Sequence, residues 1–354
     1  MFNLKNILRP NIASLTPYSS AREDFKGEAD IFLDANENAI GSAITTHVLN
    51  RYPDPLQLKV KDKLSKIKNV TPANIFLGNG SDEAIDILIR AFCNPGKDNI
   101  IVLPPTYGMY EVAAKINDIA VKAINLADDL QLNLSGINAA IDSNTKLIFV
   151  CTPNNPTGGI ISKTDIEKLL NSFNGIVVVD EAYIDFADAE SMLKDINKYP
   201  NLVILQTFSK AWGLAGLRVG MAFSNAELIS IMNKIKAPYN VGELVQQLTL
   251  KAIENIGKVN EMIDVLKKER VILIDKLKGF SFVKDILPSQ ANFILVKTTC
   301  PTELYDFLIS NNVVVRNRST LPLCEGGLRI TIGTPDENKK LVELIQIFKE
   351  IYSK

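Results

Sequence analysis

Residues Gln206 to Gly220 read QTFSKAWGLAGLRVG and follow the run NLVIL at Asn201 to Leu205. Such an uninterrupted apolar run predicts a parallel strand buried on both faces. Lys210 then stands just beyond the strand's C-terminal end, ahead of a glycine-punctuated segment carrying Arg218. An ammonium group is costly in such a place unless something there uses it.

Working outward, six further runs have the same texture: NIFLGNG, NIIVLPP, IAVKAINL, KLIFVCTP, GIVVVDEAY and RVGMAFS. Most are short and rich in Val and Ile, and helical patterns alternate with them, as in a largely parallel sheet covered by helices. One such helix is SDEAIDILIRAF, in which Ala84, Ile85, Leu88, Ile89 and Phe92 recur at helical spacing and Ser81 is placed to cap. Beyond about Tyr239 the chain changes to long charged helical stretches and the strand-like runs ANFILVK, VVVRN and GLRITIG. The expected fold is α/β: a large domain with a mostly parallel seven-stranded sheet sandwiched by helices, plus a smaller α+β domain. The expected boundaries are an arm at 1–30 packing on the small domain, a large domain at 31–240 and a small domain at 241–354.

A chain of 354 residues exceeds one comfortable core, and 46% hydrophobic with 22% charged residues is the balance of a folded soluble protein. The formal net charge of −1, from 39 basic and 40 acidic residues, provides no general field for nucleic acid or an anionic membrane. The expected partners are small molecules. The N-terminus has no unbroken apolar segment with a small-residue cleavage site, and no apolar run approaches a membrane span, so a cytoplasmic location is expected. Cys93, Cys151, Cys300 and Cys324 are far apart and read as reduced structural thiols. With His47 the only histidine, a multi-histidine metal site is excluded and no metal is expected.

Open α/β sheets place ligands at the carboxyl ends of their strands. There the sequence sets Gly80, Ser81 and Asp82, then Tyr107, then Asn155, then Asp180 and Tyr183, then Thr207, Ser209 and Lys210. Each alone has an ordinary reading: a helix cap, a packed aromatic ring, a lysine snorkelling to water. A dinucleotide fingerprint is disfavoured, because Glu83 stands where a third glycine belongs. Together, however, they match the needs of one cofactor, pyridoxal phosphate: a lysine for a Schiff base, a carboxylate to keep the ring nitrogen protonated, an aromatic face, donors for the 3-oxygen and a phosphate cup.

The ordered segments NGSDE, PTYGMY, PNNPTGG, VVVDEAY, TFSKAWGLAGLRVG and GLRITIGT resemble those of fold-type I, class I and II pyridoxal-phosphate aminotransferases, over nearly the whole chain. LTPYSSARE, IFLDANENAIG, RYPDP and VVVRNRS narrow the resemblance to the histidinol-phosphate branch of that family, with Ala39 standing where relatives often carry proline. The resemblance implies a covalent imine on Lys210, Asp180 paired with the ring nitrogen, Asn155 and Tyr183 on the 3-oxygen, and Tyr107 stacked on the ring. It implies a phosphate among Gly80, Ser81, Asp82, Thr207, Ser209 and Arg218, with Tyr52 reaching in from the second subunit of a homodimer. For substrate it implies Arg329 and Arg316, helped by Tyr18 and Asn36, holding a phosphate ester in one half reaction and glutamate in the other. Competing expectations are an aromatic amino acid aminotransferase, a threonine-phosphate decarboxylase-like enzyme, a non-catalytic module that kept the fold, and, least favoured, a nicotinamide dehydrogenase.

Overall fold

The computed structural model describes residues 2–18, 29–44 and 46–352. All seven expected runs form strands of one sheet: β1 (Ile75–Asn79), β2 (Asn99–Val102), β3 (Ala120–Ala123), β4 (Thr145–Cys151), β5 (Ile176–Asp180), β6 (Leu202–Thr207) and β7 (Val219–Phe223). Their order is β1-β7-β6-β5-β4-β2-β3, with β7 antiparallel to both neighbours and every other pair parallel. The continuous apolar runs follow from burial on two sides. Leu77, Ile148, Val177 and Ile204 enter one core layer, and their neighbours Phe76, Phe149, Val178 and Val203 enter the other.

A second sheet holds β8 (Val283–Ile286), β9 (Phe293–Thr298), β10 (Arg316–Asn317) and β11 (Gly327–Thr331), all antiparallel, in the order β10-β11-β9-β8. Its outer face packs Ile294, Leu328 and Ile330 against Leu273, Leu304 and Ile345 of the helices Ile256–Lys278, Pro301–Ser310 and Pro335–Tyr352. Strand β8 escaped the sequence reading because Lys284 and Asp285 at its centre are exposed, which breaks any apolar pattern. The large core also extends past Tyr239, since Val259 joins it and Val245 and Leu250 pack against it. The 23-residue helix Ile256–Lys278, about 35 Å long, then carries Leu273 and Leu277 into the small core and so couples the two sheets.

The start of the expected arm is placed differently from the expectation. Residues 2–14 pack on the large sheet's helices: Leu4 is buried beside them, the Arg9 N–H donates to Ala91 O at 3.1 Å, and Lys234 Nζ donates to Ile12 O at 2.8 Å. The reason is the apolar set Phe2, Leu4, Ile7 and Leu8, which packs on the core layer that the helices Gly80–Phe92 and Ala226–Ile235 share. Residues 19–28, which include all of SSARE, lie outside the described residues.

One close approach sets the geometry of the strand ends. At Gly220 in β7 an added Cβ would lie 2.0 Å from the Ser81 nitrogen and 2.2 Å from the Gly80 carbonyl carbon. No neighbour there is a flexible side chain, so a methyl group must push strand and helix apart. We expect Gly220→Ala to destabilise the protein by about 3 kcal/mol, read as a lower urea midpoint of the ligand-free protein.

Candidate functional site

The turn after β1 begins the site. Gly80 adopts φ +76°, its N–H donates to Arg218 O at 2.8 Å, and Arg218 itself sits in the left-handed region at φ 56°. A non-glycine residue there costs on the order of 1 kcal/mol, so the surroundings over-determine this conformation. The Arg218 guanidinium donates to Asp82 Oδ2 at 3.1 Å, and a Cβ on Gly80 would lie 2.7 Å from its Nη2. Ser81 was expected to cap the helix, but the helix starts at Gly80 and no side chain caps it, because the left-handed turn puts Ser81 inside the first turn. The amides of that turn thus face the cleft with the positive end of a 13-residue helix. Thr207 and Ser209 complete the cup, with the Thr207 hydroxyl accepting the Ser209 N–H at 3.1 Å.

Asp180 ends β5 on the floor of the same cleft and is buried. Its Oδ2 accepts the Tyr110 hydroxyl at 2.6 Å and its Oδ1 accepts the Ala182 N–H at 3.1 Å. Desolvation raises its pKa above the ordinary carboxylate range, and these two hydrogen bonds oppose that rise. Among the described residues it has no salt bridge; the charge of Lys210 is the cation that favours its ionised form. Tyr110 is fully buried, stacks on Phe149 at 4.7 Å and meets Tyr107 edge-on at 5.5 Å. It was missed in the sequence reading. The available signal was the spacing of Tyr107 and Tyr110, which brings two aromatic rings to the mouth of the helix Met109–Ile116. Tyr107 is itself anchored, its hydroxyl donating to Asp82 Oδ1 at 3.1 Å.

Lys210 projects into the cleft, its Nζ 5.6 Å from the Tyr183 ring centroid and without a hydrogen bond or ion pair among the described residues. Desolvation, then the Arg329 charge, lowers its pKa, which favours the neutral amine. Asn155 Nδ2 donates to the Tyr183 hydroxyl at 3.4 Å, and Asn155 Oδ1 accepts Arg329 Nη1 at 2.5 Å. Arg329 lies over the Phe293 ring at 5.4 Å and faces Arg316 directly across the β10–β11 ladder. Neither arginine has an ion pair among the described residues. Gly80, Ser81, Asp82, Tyr107, Asn155, Asp180, Tyr183, Thr207, Ser209, Lys210 and Arg218 therefore converge on one cleft, which Cys151 also lines.

Tyr52, Tyr18 and Asn36 do not line this cleft. Tyr52 stacks on Tyr239 at 4.4 Å and shares a separate hollow with Asn36 and Glu37. Tyr18 is exposed.

Residues 24–345 match the family described as aminotransferase class I and II. The chain is 51% identical over 347 residues to the histidinol-phosphate aminotransferase of Cytophaga hutchinsonii, covering 98% of this chain and 99% of that one. It is similar in fold to the histidinol-phosphate aminotransferase of Clostridium acetobutylicum, with a TM-score of 0.78 and 24% identity over 85% of this chain and 91% of that one. It is also similar to that of Sinorhizobium meliloti, solved in complex with pyridoxal-5'-phosphate, with a TM-score of 0.76 and 23% identity over 89% and 90% of the two chains.

Tyr110→Phe removes a donor that stabilises the Asp180 anion. Because the folded-state pKa of Asp180 lies above its unfolded value, this group's contribution to stability is full below pH 4 and is lost as pH rises through the folded pKa. Without the hydroxyl that folded pKa climbs further. The stability gap between wild type and Tyr110→Phe should be about 2 kcal/mol at pH 8 and smaller at pH 5, from urea titrations of the ligand-free protein.

Proposed function

This chain belongs to the class I and II aminotransferases, and on that premise we propose that it moves an amino group between L-histidinol phosphate and 2-oxoglutarate, giving imidazole acetol phosphate and L-glutamate, with pyridoxal phosphate as its cofactor. The carrying observation is the buried Asp180 carboxylate facing Lys210 across a cleft whose far end is an uncapped helix N-terminus with Arg218. The residues fit the cofactor: a phosphate suits the free amides beside a guanidinium, and a protonated pyridine nitrogen would supply a second cation beside Lys210 to favour the Asp180 anion. Gly80 keeps the cup open, since a Cβ there would fill the space beside Arg218 Nη2.

When bound, the cofactor supplies an aldehyde that condenses with amines and a cationic ring that accepts electron density. Lys210 would hold it covalently, and its amine, when free, would serve as the base that moves a proton from the substrate Cα. Its lowered pKa suits that work. Asp180 would keep the ring nitrogen protonated, and Tyr110 holds Asp180 in place. Asn155 and Tyr183 would hold the ring 3-oxygen, Tyr107 would stack on the ring, and Thr207 and Ser209 would donate to the phosphate; all five line the cleft. Arg329 and Arg316 hold the substrate's anionic group, a phosphate ester in one half reaction and a carboxylate in the other.

A homodimer completes this reading. The segment before the first large-sheet helix exposes Ile31, Leu33, Ile40 and Val48 at 75%, 85%, 97% and 78%, an apolar surface suited to a second copy. Tyr52 lies beside it, outside its own chain's cleft, and we assign it, with Tyr18 and Asn36, to a site completed by that copy. Four free, buried thiols suit a reducing cytoplasm. Among the described residues no helix is long and apolar enough to cross a membrane.

Borohydride reduction of the holoenzyme followed by peptide mapping should leave the label on Lys210, and Lys210→Ala should lose turnover by a factor on the order of 10⁴ while remaining folded. Label on another side chain, or an active Lys210→Ala, would refute the assignment. Turnover of phenylalanine exceeding that of histidinol phosphate would favour the aromatic reading instead.

A further inference from the structure

The small sheet turns one face toward the cleft, and that face is basic. Strand alternation puts Phe293, Leu295 and Lys297 of β9 on it, with Arg329 of β11 opposite Leu295 and Arg316 of β10 opposite Arg329. The ladder continues one residue past β10, where the Arg318 N–H donates to Gly327 O at 2.8 Å. Arg318 is two residues from Arg316, so the same alternation brings its side chain to the same face. The residue across from it is Gly327, whose missing side chain lets the strand close on its neighbours: a Cβ there would lie 2.6 Å from Cys324 O and 3.2 Å from Leu295 Cδ1.

Arg318 is half-buried and has no ion pair among the described residues. The nearest acid in sequence, Glu325, uses its carboxylate to accept the Leu323 N–H at 2.9 Å. Desolvation lowers the Arg329 pKa most, and the charges of Arg318 and then Arg316 lower it further, so the Arg318 guanidinium acts on the volume that Arg329 occupies. Three arginines, of which Arg329 donates to Asn155 Oδ1, exceed what a single carboxylate requires. A carboxylate is satisfied by one bidentate arginine, whereas a phosphate ester brings close to two negative charges and three strong acceptor oxygens.

We propose that Arg318 is a specificity-determining residue, which joins Arg316 and Arg329 to hold a phosphate dianion and favours phosphate-ester substrates over amino acids bearing a carboxylate at that position. The proposal rests on the aminotransferase reading and concerns a residue that reading does not need.

Two measurements on the holoenzyme test it. In steady-state kinetics, Arg318→Gln should lower the ratio of kcat/KM for histidinol phosphate to kcat/KM for glutamate by about tenfold, through KM and not kcat, the loss expected of one charge-assisted hydrogen bond. Arg318→Lys, which keeps the charge without the planar fork, should fall between. Calorimetric titration with inorganic phosphate should show weaker binding in Arg318→Gln by a similar factor. Unchanged phosphate affinity, or equal losses for both substrates, would overturn the proposal. If wild type fails to turn over histidinol phosphate, the functional reading falls, and the phosphate titration still decides the role of Arg318.

Discussion

A carboxylate in a dry place needs a cation, and the site is organised around that demand at Asp180. The residue closes a strand buried on both faces, so water cannot satisfy it, and two hydrogen bonds from Tyr110 and Ala182 meet only part of its need. Lys210 lies across the cleft and is pulled the other way, by desolvation and by Arg329. Two groups with opposed pKa shifts facing one cleft are the arrangement that acid–base chemistry near neutral pH requires. A cationic ring held between them, as proposed, would resolve both demands.

The opposite end of the cleft stores a different cost. Arg218 is held in a left-handed conformation, Gly80 is left-handed beside it, and Gly220 lets the two backbones approach within contact. The Gly80 N–H to Arg218 O bond and the Arg218–Asp82 contact tie these pieces together. The pair is half-exposed, so its own contribution to stability is small, and its consequence is positional: it aims a helix N-terminus and a guanidinium at one point.

The small sheet contributes charge where the large sheet contributes geometry. Arg329 crosses to Asn155 and lies over Phe293, whose ring in turn meets Tyr183 edge-on at 5.0 Å. The residues proposed for substrate and those proposed for cofactor are therefore in direct contact, and the helix Ile256–Lys278 links the two cores behind them.

The seven strands of the large sheet were legible in the sequence because burial on both faces leaves dense apolar runs, a local signal. The cleft residues at the turn after β1 and at the ends of β4, β5 and β6 were legible for the same reason, since finding a strand also finds its carboxyl end. Strand β8 was not, because two charged residues mask a half-exposed strand. What the chain order could not reveal is which distant residues meet: Tyr110 at Asp180, 70 residues away, Arg329 at Asn155, 174 residues away, or residues 2–14 on the large domain. Periodicity and side-chain chemistry along the chain determined the strands and the types of group at their ends. Sheet order, register and close backbone approach decided the pairings, because those depend on how separate segments close in space and not on any local preference.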